Sequence, residues 1–240
     1  MIIFNKNLLF SLSSAAVLSL AISGCDSNSD NDPEPPPPPP PVVFSFDVQV
    51  INLTNNQPLS PVVLIAHQTG NIWTINQSAS VELELMAESG DNSSLTAVSF
   101  AMASSSGAGP IGPGGSETIS LSINNSIAST FLSVATMLVN TNDAFTGIDQ
   151  LDISQFSVGQ SQMMNVAAYD AGTEANSEMM GTIPGPADGG EGMNTSRDDV
   201  DFVSRHSGVV TSDFGLTASI LNESHRFDNP VAKIIITRTQ

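Results

Sequence analysis

Residues 43–53, VFSFDVQVINL, place Phe44, Phe46, Val48 and Val50 in alternation with Ser45, Asp47 and Gln49. A period of two sends alternate side chains to opposite faces of an extended chain, so this stretch predicts a half-buried strand. Asn55, Asn56 and Pro58 then mark a turn, and residues 61–67, PVVLIAH, read as a buried strand. Further strands are expected around Ile119, Leu121 and Ile123, over residues 131–139 (FLSVATMLV), over 162–169 (QMMNVAAY) and over 231–239 (VAKIIITRT). Residues 79–89, ASVELELMAES, alternate like a strand but carry the Glu, Leu, Met and Ala of a helix former, and the composition favours a short helix. Gly- and Pro-rich residues 107–116 read as a loop, and residues 179–197 as a long mobile one. Seven or eight strands with short turns and little helix predict an all-β fold, an antiparallel eight-stranded β-sandwich with one or two short helices.

The composition agrees with a secreted β-rich module. Only 12% of the residues are charged, and Ser, Asn and Thr fill their place. The 24 acidic residues against 6 basic ones give a formal charge of −18. Such a field repels phosphate backbones and excludes nucleic acid as a partner. It favours divalent cations, cationic partners or neutral ligands such as glycans, and it also fits a surface whose acids merely solubilise.

The single cysteine rules out an internal disulfide, and its position explains it. Residues 1–24 carry Lys6, an apolar run from 8 to 22 and small residues up to Cys25. The run is too short for a membrane span of about 20 residues and fits a cleaved signal peptide. Residues 22–25, ISGC, resemble the bacterial lipobox, which implies a lipid on Cys25 and anchorage in a membrane of the cell envelope. An ordinary signal peptide cut near Ala21 is the alternative. Asp26 resembles an inner-membrane retention signal of enteric bacteria, and other lineages follow other rules, so the choice between inner and outer membrane stays open. Residues 25–42 are an acidic stem followed by seven prolines, Pro35 to Pro41, expected to form a stiff polyproline II rod. The working domain is then residues 43–240.

Five segments of that domain together resemble the spondin amino-terminal domain family, in particular its bacterial lipoprotein-like members. They are residues 52–67 (NLTNNQPLSPVVLIAH), 79–91 (ASVELELMAESGD), 137–149 (MLVNTNDAFTGID), 168–178 (AYDAGTEANSE) and 229–238 (NPVAKIIITR). The family implies an eight-stranded antiparallel sandwich similar to calcium-dependent phospholipid-binding domains, found in animal matrix and adhesion proteins. It also implies a metal site. An aspartate after a Ser-Pro pair corresponds to Asp143, and two acids bracketing an Asp-Ala-Gly-Thr-acid motif correspond to Asp170 and Glu174. Asn142 stands where animal members have proline, Ala144 where they have an aromatic residue, and Glu174 where they have aspartate.

On the residues alone, Asp143 and Asp170 read first as turn or capping residues. The spacing also suits calcium, which takes 6–8 oxygens from carboxylates, carbonyls and water. Asp170 and Glu174 lie four apart across Gly172, which permits a tight turn. With the resemblance, calcium held by Asp143, Asp170 and Glu174 is the expected cofactor. Asp149 and Asp152 read as solvated acids.

No Gly-x-Ser-x-Gly elbow, no His-Glu-x-x-His helix and no zinc spacing is present, so no catalytic residue is assigned. His67 reads as a packed core residue and His225 as a surface loop residue, with a minor binding role open for His206. Met163 and Met164 read as core, while Met179, Met180 and Met193 suit an adaptable contact surface better than copper. These signals describe a non-catalytic adhesion or ligand-binding module whose partner is a protein or glycan. A calcium-dependent glycan or lipid binder, a purely structural envelope protein and, least favoured, an envelope hydrolase are the alternatives.

Overall fold

The computed structural model describes residues 37–240. The stretch read as a signal peptide, Cys25 and the first part of the expected tether lie outside the described residues. Pro37–Pro41 are exposed and belong to no strand, and the compact unit begins beside them.

The alternating stretch is strand β1 (Val43–Asn52), with Phe46, Val48 and Val50 fully buried between more exposed neighbours. It lies between β4 (Ser116–Asn124) and β10 (Ala232–Arg238), and β7 (Ser161–Val166) pairs with the other edge of β10. The antiparallel register sets Val48 opposite Ile236 and Ile119, and Val50 opposite Ile234, so the apolar residues of three strands share one face.

The second sheet has the order β3 (Ala101–Ser106), β2 (Val63–His67), β5 (Phe131–Met137), β6 (Ala144–Asp152), β8 (Ala168–Asp170) and β9 (Ser204–Arg205). Its inner face supplies Leu64, Leu132 and Val134 to the core shared with β1 and β10. Its outer face is covered in turn by helices α1 (Val81–Ser89) and α2 (Ser93–Thr96), through Leu83, Met86 and Leu95 against Val63, Ile65 and Phe145. Each such side chain contributes about 1.5–3 kcal/mol by leaving water. Coverage on both faces is why β2 and β5 are buried almost without alternation.

Helix α1 is bounded by its caps. Ser80 Oγ accepts from Leu83 N at 3.2 Å, and Gly90 adopts a left-handed φ of +73° while its N–H closes on Met86 O at 2.9 Å.

The antiparallel two-sheet architecture is the expected one, with ten strands among the described residues in place of eight. The stretch read as one strand over 162–169 is two. It leaves β10 after Val166, passes Ala167 and joins β6 as β8, thereby crossing from one sheet to the other. Three strands were not expected, β3, β6 and the two-residue β9. β3 is a run of small residues, and β6 carries a glycine and two acids in nine positions. Met163 is 61% exposed and not core, because it faces away from the sheet interface on the outer strand β7. His67 is fully buried, as expected, between Thr69 O at 3.0 Å and Ser133 Oγ at 2.8 Å. His225 is buried rather than on the surface. Its Nδ1 accepts from Asn222 N at 3.2 Å, closing a capping box.

Two features position the site. Asn52, the last residue of β1, donates to Gln57 O at 2.8 Å, and Gln57 Nε2 donates to Asn140 O at 3.1 Å. The far end of β1 therefore meets the β5–β6 turn. Secondly, the long segment after β8 is clamped to α1 by Arg197, which donates to Glu84 Oε2 at 2.6 Å, Ala79 O at 2.8 Å and Asp201 Oδ1 at 2.5 Å.

Glu84 is nearly buried and Arg197 is its only cationic partner among the described residues. Arg197→Ala is expected to lower stability by about 2 kcal/mol, less than the roughly 3–5 kcal/mol for breaking a fully buried pair because Arg197 is partly solvated. Urea denaturation measures it, and limited proteolysis should show new cleavage within residues 188–203.

Candidate metal site at the β5–β6 and β8 loops

The turn after β5 is built from its own polar side chains. Thr141 Oγ1 donates to Leu138 O at 2.7 Å and accepts from Ala144 N at 3.0 Å, which brings the chain round into β6 at Asp143. The β6–β8 register sets Ala144 opposite Asp170, so Asp143, one residue earlier, lies beside the end of β8. Ala171 N donates to Asp143 O at 3.3 Å and fixes that junction.

Asp143 is fully buried. Its Oδ2 accepts from Thr173 N at 2.8 Å, Glu174 N at 3.1 Å and Thr173 Oγ1 at 3.3 Å. Its Oδ1 is buried with no partner. Burial, with repulsion from Asp170, pushes the Asp143 carboxyl up to about 8 despite those three donors. Asp170 has both oxygens engaged, Oδ1 by Gly172 N at 2.8 Å and Oδ2 by Asn176 Nδ2 at 2.6 Å. Asn176 Oδ1 meets His206 Nε2 at 3.0 Å, and His206 Nδ1 accepts from Gly208 N at 3.0 Å. An Nδ1 that accepts leaves the proton on Nε2, so His206 donates to Asn176, which donates to Asp170. Burial holds His206 below the usual imidazole range and keeps it neutral.

Glu174 is also buried, but its side chain is directed elsewhere. Asn142 Nδ2 donates to its Oε1 at 3.1 Å, and its Oε2 has no partner. Burial, then repulsion from Glu88, Glu191 and Asp198, raises it to about 7 against the Asn142 hydrogen bond. The structure thus brings Asp143 and Asp170 together and leaves Glu174 on the neighbouring side, reached through its backbone N–H. Among the described residues, no three His, Cys, Asp or Glu side chains are already grouped as a set able to hold a metal ion. One ion bound by all three acids needs Glu174 to swing toward Asp143. The donor set nonetheless fits a hard cation, being carboxylate oxygens with two of them bare. Asp149, read as a solvated acid, is half-buried and accepts from Ser133 Oγ at 2.6 Å and Ile72 N at 3.1 Å, away from this cup. Asn142, Asn176 and His206 carry no spacing signal that marks them in advance; only the folded loops bring them to the acids.

Gly172 lets the loop pass. Its φ is +72°, and a Cβ there would lie 2.4 Å from Phe202 O.

A family model described as Spondin_N matches residues 54–183, a span that contains Asp143, Asp170 and Glu174. A comparison with curated proteins finds no match.

Gly172→Ala combines backbone strain with that overlap and is expected to lose about 2–4 kcal/mol, read from a shifted denaturation midpoint. The acids also set a pH dependence. Unfolded, Asp143 loses its proton near 3.8, whereas folded it keeps it to about 8. The folded state binds the extra proton between those values, so in chelator stability should fall as pH rises from about 4 to about 8 and then level off. Melting temperatures across that window measure it, and a stability that rises through it would contradict the burial of Asp143 as an unpaired acid.

Proposed function

Because the chain belongs to the Spondin_N family, we propose that it is a non-catalytic cell-envelope lipoprotein whose domain binds calcium and adheres to an extracellular or periplasmic protein or glycan. Cys25 carries the lipid in this reading, and Asp143, Asp170 and Glu174 are the calcium ligands.

The observation that carries the proposal is Asp143, a fully buried carboxylate with a bare oxygen, set beside a second acid by the sheet register. Unbound, Asp143 avoids an uncompensated buried charge by keeping its proton up to about 8, and a cation that displaces the proton compensates the carboxylate instead. When bound, calcium supplies that positive charge and ties the two loops together. The residues around it act as supports. Thr173 and Glu174 amides hold Asp143 Oδ2 and leave Oδ1 free for the ion. His206, through Asn176, fixes the orientation of the Asp170 carboxylate. Two of the three departures from the animal pattern, Asn142 and Glu174, contact each other at 3.1 Å, so the amide that replaces proline steadies the longer acid that replaces aspartate.

Ion binding would stiffen the loops that follow β5 and β8. Near them are exposed apolar side chains, Met179, Met180 and Phe202, which suit contact with a partner.

Calorimetry of the full chain should show calcium binding with a dissociation constant on the order of 10⁻⁴–10⁻³ M, as in extracellular modules. The melting temperature should rise with calcium, and Asp143→Asn and Asp170→Ala should each remove the heat of binding at this site and its share of the thermal shift. No heat and no thermal shift at millimolar calcium would overturn the metal assignment. A glycan array read with and without chelator then separates a ligand-binding role from a structural one.

A further inference from the structure

Glu88 is an acid where an acid is disfavoured. It is the penultimate residue of α1, at the helix end where carbonyl oxygens and the negative pole of the dipole lie, and no basic residue occupies that last turn. It is 0% exposed. Asn194 N donates to its Oε2 at 2.7 Å, and its Oε1 has no partner. Glu174 repeats the arrangement from the β8 loop, with Oε1 held by Asn142 Nδ2 and Oε2 bare. The two carboxyls are close enough for Glu88 to be the first of the charges that repel Glu174, ahead of Glu191 and Asp198. Arg197, whose charge reaches Glu88, is already engaged by Glu84 and Asp201. Two buried acids are thus each steadied through one oxygen and open at the other, with no ion pair to a cation among the described residues.

We propose that Glu88 and Glu174 hold a second divalent cation beside the position assigned to Asp143 and Asp170, with Glu174 as the carboxylate the two positions share. The Thr173 hydroxyl links the positions, since it donates to Asp143 Oδ2 at 3.3 Å and also stands beside the Glu88 carboxyl. Both open atoms are carboxylate oxygens, the ligands of calcium or magnesium, and carbonyls and water complete such a shell. The inference rests on the calcium reading above only for the class of ion. It explains an acid at the wrong end of a helix, which the first position leaves unexplained.

Calcium bound per chain, counted by equilibrium dialysis of the full protein, tests it. The unaltered chain should hold two ions. Glu88→Gln should hold one, with the affinity of the remaining ion near its original value, and Asp143→Asn should also hold one. Glu88→Asp keeps the charge but withdraws the oxygens by one methylene, and should weaken the second ion about tenfold or more. In chelator Glu88→Gln should melt no lower than the unaltered chain, because it removes a buried unpaired charge; added calcium should then stabilise it less. A Glu88→Gln chain that binds as many ions with the same affinities overturns the second position. If the unaltered chain binds one ion, lost in Asp143→Asn and untouched in Glu88→Gln, the second position falls while the first stands. If it binds none, both fall. Should Glu88→Gln fail to fold, the count and affinities in Glu88→Asp decide in the same way.

Discussion

The pairing of β6 with β8 opposes Ala144 to Asp170 and so brings Asp143 and Asp170 side by side inside the protein. Strand register does not slip by a single residue without turning every side chain to the wrong face. Proximity of the two acids is therefore imposed by the core, and the local chemistry has to accommodate it. Amides of Thr173 and Glu174 crowd one oxygen of Asp143, and the Asn176–His206 chain restrains Asp170. What these donors leave over is a bare, buried oxygen. Like charges held together in low dielectric are tolerable as a proton-sharing pair or as a cation site, and the loops provide no third solution.

The helical layer completes this arrangement. Covering the outer face of the six-stranded sheet requires α1, and the cap at Gly90 ends it at a point that delivers Glu88 to the back of the same loops. The segment after β8 is then folded over α1 by the Arg197 clamp and by the Asn194 N–H on Glu88. The site is thus assembled by a turn, a strand end and a helix end that are far apart in the chain.

Much of the fold was legible because its signals are local. β1, β2, β5 and β10 carry period-two or continuous apolar patterns, and α1 combines helix formers with a serine cap. The division of residues 161–170 between two sheets was not, since nothing in QMMNVAAY distinguishes a strand that changes partners from one that does not. β6 was hidden by Gly147, whose Cβ would fall 1.9 Å from Val134 O: the close approach that demands glycine also erases the pattern. For the candidate site, Asp143, Asp170 and Glu174 were singled out through a motif resemblance, and the residues alone would have left Asp143 and Asp170 as turn or capping residues. Glu88 was invisible for a different reason. On a helix it reads as one more surface acid, and only its complete burial sets it apart.

The place of β1 in the sheet has a mechanical meaning. The chain enters the domain at Val43, at one end of a strand flanked on both sides, with nine residues in register with β4 and seven with β10. The other end of that strand, through Asn52 and Gln57, abuts the turn that carries Asp143. A pull between the preceding segment and a partner gripped at the loops would run along β1. Its hydrogen bonds to both neighbours would then be loaded together in shear and would not peel open one at a time. Resistance to force, a matter of unfolding rate and not of equilibrium stability, is thereby built into the topology of the four-stranded sheet.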